Sequence, residues 1–184
     1  MTLELNEVLL EGASRTVSMI AESRQLVCLT GGRAEERTRL LRAVMGFVPL
    51  TGGVLSIDGT PLNAKSAPTL RRCMAYAPHR LDDVGHFPTY EAPSVQSVFT
   101  LKANQQVSIS NGILSEEVKR TGCTGKPAQL LAVAALLQRP ILLCDEPPAE
   151  SAPYLQALAR QGLLVLTASA SQTLRAAADV VVEL

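Results

Sequence analysis

Two hydrophobic patterns along the chain predict its strands. Leu3 to Leu10 alternates between apolar and polar residues, as expected of a strand with one buried face, and Thr16 to Ile20 predicts a second early strand. Later strands are predicted from short apolar runs, which are typical of sheets covered on both faces. These runs are Gln25 to Thr30, Val54 to Asp58, Ile141 to Cys144, Leu163 to Thr167 and Val180 to Leu184.

Segments with helical spacing lie between these runs. Thr38 to Met45 carries apolar residues at helical intervals, and Gly46 provides a stop. Further helices are predicted at Pro127 to Gln138, Tyr154 to Arg160 and Gln172 to Ala178. Strands that alternate with helices predict an α/β fold with a mostly parallel sheet flanked by helices.

The segment from Arg80 to about Gly125 has no regular pattern and is rich in Pro, Ser, Thr and Asn. The pattern does not assign it to helices or strands. The chain has 184 residues and no internal repeat. We therefore expect one domain over residues 1–184, with residues 80–125 as a reduced helical or irregular region.

Composition excludes several classes of function. The formal net charge is +0 and aromatic residues make up 3%, which argues against a nucleic-acid-binding protein. The four cysteines are widely spaced without a C-x-x-C pair, so we expect buried free thiols and no zinc site. The chain lacks a signal-peptide pattern and a membrane-spanning apolar stretch. We expect a soluble, cytoplasmic protein that reaches a membrane only through a partner.

A strand, a glycine turn and a helix meet at Gly31 to Thr38 (G-G-R-A-E-E-R-T). This is the layout of a phosphate-binding loop, in which backbone N–H groups at a helix start face an anion. The segment matches G-x-x-x-x-G-K-[ST] only in part, because Glu36 replaces the second Gly and Arg37 replaces the Lys. Asp145 and Glu146 end a buried strand, where α/β sheets place ligands; Asp-Glu-Pro-Pro could also simply turn the chain.

The flanks of this loop closely resemble the nucleotide-binding subunits of ABC transporters. They read V-C-L-T-G-G before it and L-L-R-A-V-M-G-F-V-P-L-T-G-G-V-L-S-I-D-G-T-P-L after it. Further landmarks follow in the family's order: M-A-Y-A-P-H, G-C-T-G-K, I-L-L-C-D-E-P and V-L-T-A-S. The resemblance implies a P-loop NTPase-like fold with an N-terminal antiparallel β portion and a reduced helical subdomain. It also implies ATP and Mg²⁺ as cofactors, and a membrane domain or a second cassette as partner.

The resemblance assigns roles residue by residue. Nucleotide contacts are implied for Gly31, Gly32, Arg37, Thr38, His79 at the Q-loop position, Gly125 in the signature segment, and Asp145. Thr38 and Asp145 would hold Mg²⁺ if a nucleotide binds. Glu146 occupies the catalytic-base position, and Ser169, or Ala168 if the register moves by one, occupies that of the switch histidine.

Departures from the family pattern predict weak or absent ATP binding. Two unit charges about 4 Å apart interact by about 4 kcal/mol at an effective dielectric near 20, so Glu36 would repel the phosphates. Carboxylates at a helix start do suit the helix dipole, and we hypothesise that Glu35 and Glu36 partly fill the anion site themselves. Leu9 to Val17 offers no aromatic residue for adenine. Thr124 would crowd the signature N–H groups, and Ser169 cannot replace a histidine.

Three hypotheses follow. The first is an ABC-transporter cassette with lost or weak hydrolysis that acts as a structural or regulatory subunit. The second is an active ATP-hydrolysing transport subunit in which Arg37, Thr38, Asp145 and Glu146 suffice. The third is an α/β interaction module unrelated to transport, which a structure without the Asp145 strand beside the Cys28 strand would favour. Phe87, Tyr90 and Phe99 are candidate partner anchors or core residues.

Overall fold

The computed structural model describes residues 1–79 and 110–184. The strands, in chain order, are β1 (Thr2–Leu10), β2 (Val17–Glu22), β3 (Leu26–Thr30), β4 (Leu50–Ile57), β5 (Thr60–Pro61), β6 (Met74–Ala77), β7 (Ile141–Asp145), β8 (Leu164–Ala168) and β9 (Val180–Glu183). The α-helices are α1 (Ala34–Val44), α2 (Ala67–Leu70), α3 (Asn111–Arg120), α4 (Gly125–Leu136), α5 (Ala152–Arg160) and α6 (Gln172–Ala177). Short 3₁₀ turns lie at Arg71–Cys73 and Ala149–Ser151.

These strands form two sheets. The first is antiparallel, with the order β2-β1-β4-β5, and the second is parallel, with the order β6-β7-β8-β3-β9. The sequence-based prediction of an α/β fold with a parallel sheet, flanking helices and an N-terminal antiparallel portion is confirmed.

The parallel sheet is buried on both faces because its strands consist of apolar runs. Leu29 and Leu143 face α1 and the antiparallel sheet, whereas Cys28 and Leu142, one position earlier on each strand, face the helices on the other side. All four side chains are 0% exposed. This two-sided burial fixes the positions of the strand ends, where the candidate site lies.

The antiparallel sheet covers α1 from the other side. Leu3, Leu5 and Leu55 from this sheet pack in one cluster with Leu40 and Leu41 of α1. Helix α1 is therefore packed between the two sheets.

Two helix starts need correction. Helix α1 begins at Ala34 rather than Thr38, and α4 begins at Gly125 rather than Pro127. Within residues 80–125, which the sequence pattern left unassigned, α3 begins after Ser110, whose hydroxyl oxygen accepts the N–H of Ile113 at 3.3 Å. Residues 87, 90 and 99, proposed as anchors, lie outside the described residues, so that hypothesis stays a prediction.

The expected adjacency of the Asp145 and Cys28 strands is also wrong, because β8 lies between β7 and β3. The carboxyl ends of β7 and β3 nevertheless lie on the same edge of the sheet, one strand apart. In the parts of the chain that the structure describes, no helix is long and apolar enough to cross a membrane.

Candidate nucleotide site

The loop between β3 and α1 has the backbone conformation of an anion-binding turn. Gly31 and Gly32 adopt φ values of +73° and +55°. A Cβ on Gly31 would lie 3.0 Å from Cγ of Glu183 and 3.1 Å from the carbonyl oxygen of Leu184, so a side chain here would require these neighbours to shift and would be strained by the positive φ. The loop leads directly into α1, and the first N–H groups of a helix are available to an anion in the space between the loop and the helix start.

Glu36 fills part of that space. One of its carboxylate oxygens accepts the backbone N–H of Arg33 at 2.9 Å, and the other accepts Nε and Nη2 of Arg33 at 3.2 and 3.1 Å. A Cβ on Gly32 would lie 2.7 Å from Oε2 of Glu36. The backbone and side-chain hydrogen bonds from Arg33 lower the pKa of Glu36, so the carboxylate is ionised at neutral pH. An N–H group of the kind that would face a phosphate is thus taken by the protein's own carboxylate.

Arg37 is turned inward, not towards solvent. The residue is 4% exposed. Its Nη1 donates to the carbonyl oxygens of Gly31 and Gly32 at 2.8 and 3.1 Å. Its Nε donates to Oε1 of Glu146 at 2.8 Å, and its Nη2 donates to the same oxygen in an ion pair. The arginine therefore joins the loop to the end of β7.

A second set of hydrogen bonds joins Thr38 and Tyr76 to Asp145. The Thr38 hydroxyl lies 2.8 and 3.0 Å from the two carboxylate oxygens of Asp145, and the Tyr76 hydroxyl donates to Oδ2 at 2.9 Å. Burial, followed by the nearby charge of Asp145, raises the pKa of Tyr76 well above its ordinary value of 10.0. The sequence analysis missed Tyr76, although a single tyrosine at the end of an apolar strand next to β7 was an available signal.

Glu146 has a strained backbone. Its φ is +45°, which L-residues other than Asn and Asp rarely adopt, and such a conformation costs about 1–3 kcal/mol. Its N–H donates to the carbonyl oxygen of Ala168 at 2.8 Å, and its side chain is held by Arg37. The backbone bond to β8 and the ion pair to α1 fix the orientation of this carboxylate.

The remaining predicted residues lie at the margin of this cluster. His79 is exposed and lines a shallow cleft with Asp145 and Glu146. Ser169 is 2% exposed, and its hydroxyl oxygen accepts the N–H of Ser171 at 3.1 Å, so it helps to start α6. Gly125, with φ +74°, is the first residue of α4, which is an element separate from the loop and β7.

Next to the loop lies a cavity of about 340 Å³ between β1, β2 and α1. Val8, Leu10 and Val17 line it from the antiparallel sheet, and Leu40 and Glu36 line it from the helix. No aromatic ring contributes to this lining. Arg15 also lines the cavity, and Glu36 places a carboxylate where the cavity meets Gly32. Without an aromatic ring, the cavity offers no stacking partner for a nucleotide base.

A triphosphate does not fit the loop with these side chains as they are arranged. The Arg33 N–H is bonded to Glu36, and the Arg37 guanidinium is bonded to Glu146. A triphosphate would have to displace the Glu36 carboxylate from the loop, whereas Thr38 and Asp145 lie together as the two oxygen groups that would hold a magnesium ion.

No protein-family model matches the chain, and no curated protein sequence does. Solved structures do match. The ATP-binding subunit of an ABC transporter is 18% identical with a TM-score of 0.74, over 100% of this chain and 86% of that one. A protein from Clostridium perfringens that is part of an ABC transporter complex is 15% identical with a TM-score of 0.68, over 98% of this chain and 84% of that one.

A third match is an ATP-binding cassette solved as a dimer with ADP and phosphate bound. It is 12% identical with a TM-score of 0.75, over 99% of this chain and 94% of that one. Sequence identities this low establish the fold alone. The fold is nevertheless matched over 98–100% of this chain and 84–94% of these three chains. The separation of β7 from β3 by β8, taken alone, met the criterion for an unrelated interaction module, but the match of the whole fold does not favour that module. The chain therefore has the fold of the ATP-binding cassettes of ABC transporters.

Proposed function

We propose that the protein is a cassette subunit of an ABC transporter in which ATP hydrolysis is lost or weak. Its role is structural or regulatory, and it acts through a membrane domain or a second cassette. The cassette fold supports the transporter assignment. The single observation that carries the loss of hydrolysis is the buried ion pair between Arg37 and Glu146.

This ion pair matters because of what each partner would do in hydrolysis. A general base must accept a proton from an attacking water, and it needs a free oxygen directed at that water. Oε1 of Glu146 accepts two N–H groups of Arg37, so the carboxylate is oriented by α1 and shares a positive charge that a general base would have to work against. A cation that served the phosphates would have to face the loop opening, whereas Arg37 is bonded to the carbonyl oxygens of Gly31 and Gly32. Arg37 and one oxygen of Glu146 are thus bonded to each other rather than turned towards a substrate.

The partner proposal rests on fold-level similarity. One matching cassette was solved as a dimer, and another is part of a transporter complex. We infer that this chain likewise pairs with a second cassette or a membrane domain, and that it is a cytoplasmic subunit held peripherally at the membrane by that partner. ATP and Mg²⁺ bind weakly or not at all in this proposal.

Titration of the full chain with Mg-ATP, followed by turnover assays with and without a partner, tests the proposal. We expect a Kd weaker than about 1 mM, which corresponds to about −4 kcal/mol. Micromolar binding with magnesium-dependent turnover that Glu146→Gln abolishes would instead favour the active transport ATPase. Glu150→Gln is the matched control, because Glu150 is exposed and follows the same strand.

A further inference from the structure

We infer that Glu36 and Arg37 are built-in ligands of the phosphate loop, and that they hold closed a latent nucleotide site. This inference rests on the proposed function and deepens it, because it assigns the loss of nucleotide binding to two side chains. Removing both should open the loop to a triphosphate without any other change in the chain.

Glu36 occupies the position of an anion. Its carboxylate takes a backbone N–H at the start of α1 and lies directly over Gly32. An incoming phosphate would meet both a steric obstacle and a like charge at the point where the loop offers its N–H donors. The bond between Glu36 and the Arg33 N–H is half of a capping box, so the side chain that blocks the loop also stabilises the helix.

Arg37 occupies the position of a cation. Its planar guanidinium group donates from Nη1 to the loop carbonyls and from Nε and Nη2 to Glu146, so all three nitrogens are hydrogen-bonded at the same time. A lysine at this position has one nitrogen and cannot make both sets of contacts. Arg37→Lys therefore releases either the loop or Glu146 while keeping the positive charge.

The rest of the site is in place, which is why we describe it as latent. Gly31 and Gly32 already have the left-handed conformations that aim the loop backbone inward. Helix α1 has 11 residues, long enough to present a full set of N-terminal N–H groups. The Thr38 hydroxyl and the Asp145 carboxylate are 2.8 Å apart, so the oxygen ligands that a magnesium ion prefers are adjacent.

The experiment compares Mg-ATP and inorganic pyrophosphate binding by calorimetry and by the shift in Tm. The proteins are the wild-type chain, E36G/R37K, E36A/R37K and the control E150G/R160K. The control makes the same chemical changes at exposed positions outside the loop and α1. E36A/R37K is included because glycine weakens a helix, whereas alanine favours it.

We expect E36G/R37K to bind Mg-ATP at least tenfold more tightly than the wild-type chain, which is about 1.4 kcal/mol. E36A/R37K should gain part of that affinity, and the control should stay within twofold of the wild-type chain, roughly 0.4 kcal/mol. If E36G/R37K does not fold, E36A/R37K decides the question.

The outcomes separate this inference from the proposed function. If the wild-type chain and both opened variants bind equally weakly while folded, the inference is overturned and the proposed function stands. An equal gain in the control also overturns it. Tight binding by the wild-type chain contradicts both, since the side chains would then exclude nothing.

Discussion

The ion pair between Arg37 and Glu146 allows a quantitative prediction about stability. The Arg37 side chain is 5% exposed and that of Glu146 is 21% exposed. Arg37→Met keeps most of the apolar stem but removes the guanidinium group, which leaves the Glu146 carboxylate and the two loop carbonyls without their donor. Breaking a fully buried pair by removing one partner costs about 3–5 kcal/mol. Because one-fifth of Glu146 remains in contact with water, we expect a loss of about 2–3 kcal/mol in the free energy of unfolding.

The reciprocal change, Glu146→Gln, should also destabilise the protein because it leaves a buried guanidinium without a counter-charge. The amide oxygen still accepts hydrogen bonds, so we expect a smaller loss of about 1–2 kcal/mol. In the double variant no charge is left unpaired. The two losses should therefore not add, and the coupling energy should be about 1–3 kcal/mol in favour of the pair.

The assay is urea unfolding followed by circular dichroism at pH 7. It compares the wild-type chain, Arg37→Met, Glu146→Gln and the double variant, and the free energies are comparable if the four proteins have the same m-value. Arg160→Met is the matched control, since Arg160 is exposed at the end of α5, and its effect should be small beside that of Arg37→Met. A coupling energy indistinguishable from zero, or a loss for Arg37→Met no larger than for the control, would refute the assignment of Arg37 as a buried tie between α1 and β7.

Four further variants test other parts of the structure by the same unfolding assay. Tyr76→Phe removes a donor from Asp145 and should cost about 1–2 kcal/mol. Because the pKa of Tyr76 is raised in the folded state, the stability that Tyr76 contributes is present below pH 10.0 and is lost as the pH rises above that value. The free energy of unfolding of Tyr76→Phe should therefore fall less steeply at alkaline pH than that of the wild-type chain. An equally steep fall would contradict this. Gly53→Ala would place a Cβ 2.2 Å from a backbone oxygen and should cost more than about 2 kcal/mol. Gly59→Ala is at a similar φ but in open space and should cost about 1–2 kcal/mol. Equal losses for the two variants would contradict the clash at Gly53. Leu155→Ala, at a fully buried position, should cost about 2–5 kcal/mol, and a loss below 1 kcal/mol would contradict its place in the core.

The sequence predicted the sheet well because its strands carry a strong signal. The runs around Cys28 and Cys144 are apolar on both faces, and the observed strands β3 and β7 differ from the predicted ones by a single residue at one end. The start of α1 was missed because its first turn is polar. Its N-cap residue is Arg33, which is not a common capping residue. The cap is formed by the Glu36 carboxylate, which accepts the backbone N–H of Arg33.

The chemistry of the site was harder to predict than its location. The motif order brought Asp145 and Glu146 to the right sheet edge, but it could not reveal that Arg37 is bonded to Glu146, 109 positions away. Because Arg37 stands where the phosphate-loop motif has a lysine, the sequence suggested that its positive charge faces the phosphates. The direction of a long side chain depends on which carboxylates and carbonyls lie within its reach, and only the packed structure supplies that information.

The same contacts govern stability and ligand affinity, so the two should change in opposite directions. Within residues 1–79 and 110–184, no buried side-chain nitrogen or oxygen lacks a hydrogen-bond partner, so the site is satisfied without a ligand. A nucleotide must therefore exchange protein–protein bonds for protein–ligand bonds, and its affinity is the difference between the two sets. Loosening the ion pair between Arg37 and Glu146 while keeping the positive charge lowers the free energy of unfolding and also lowers the cost of admitting a phosphate. A cassette that needed ATP to order this loop would show the reverse, with variants that weaken the loop losing both stability and affinity.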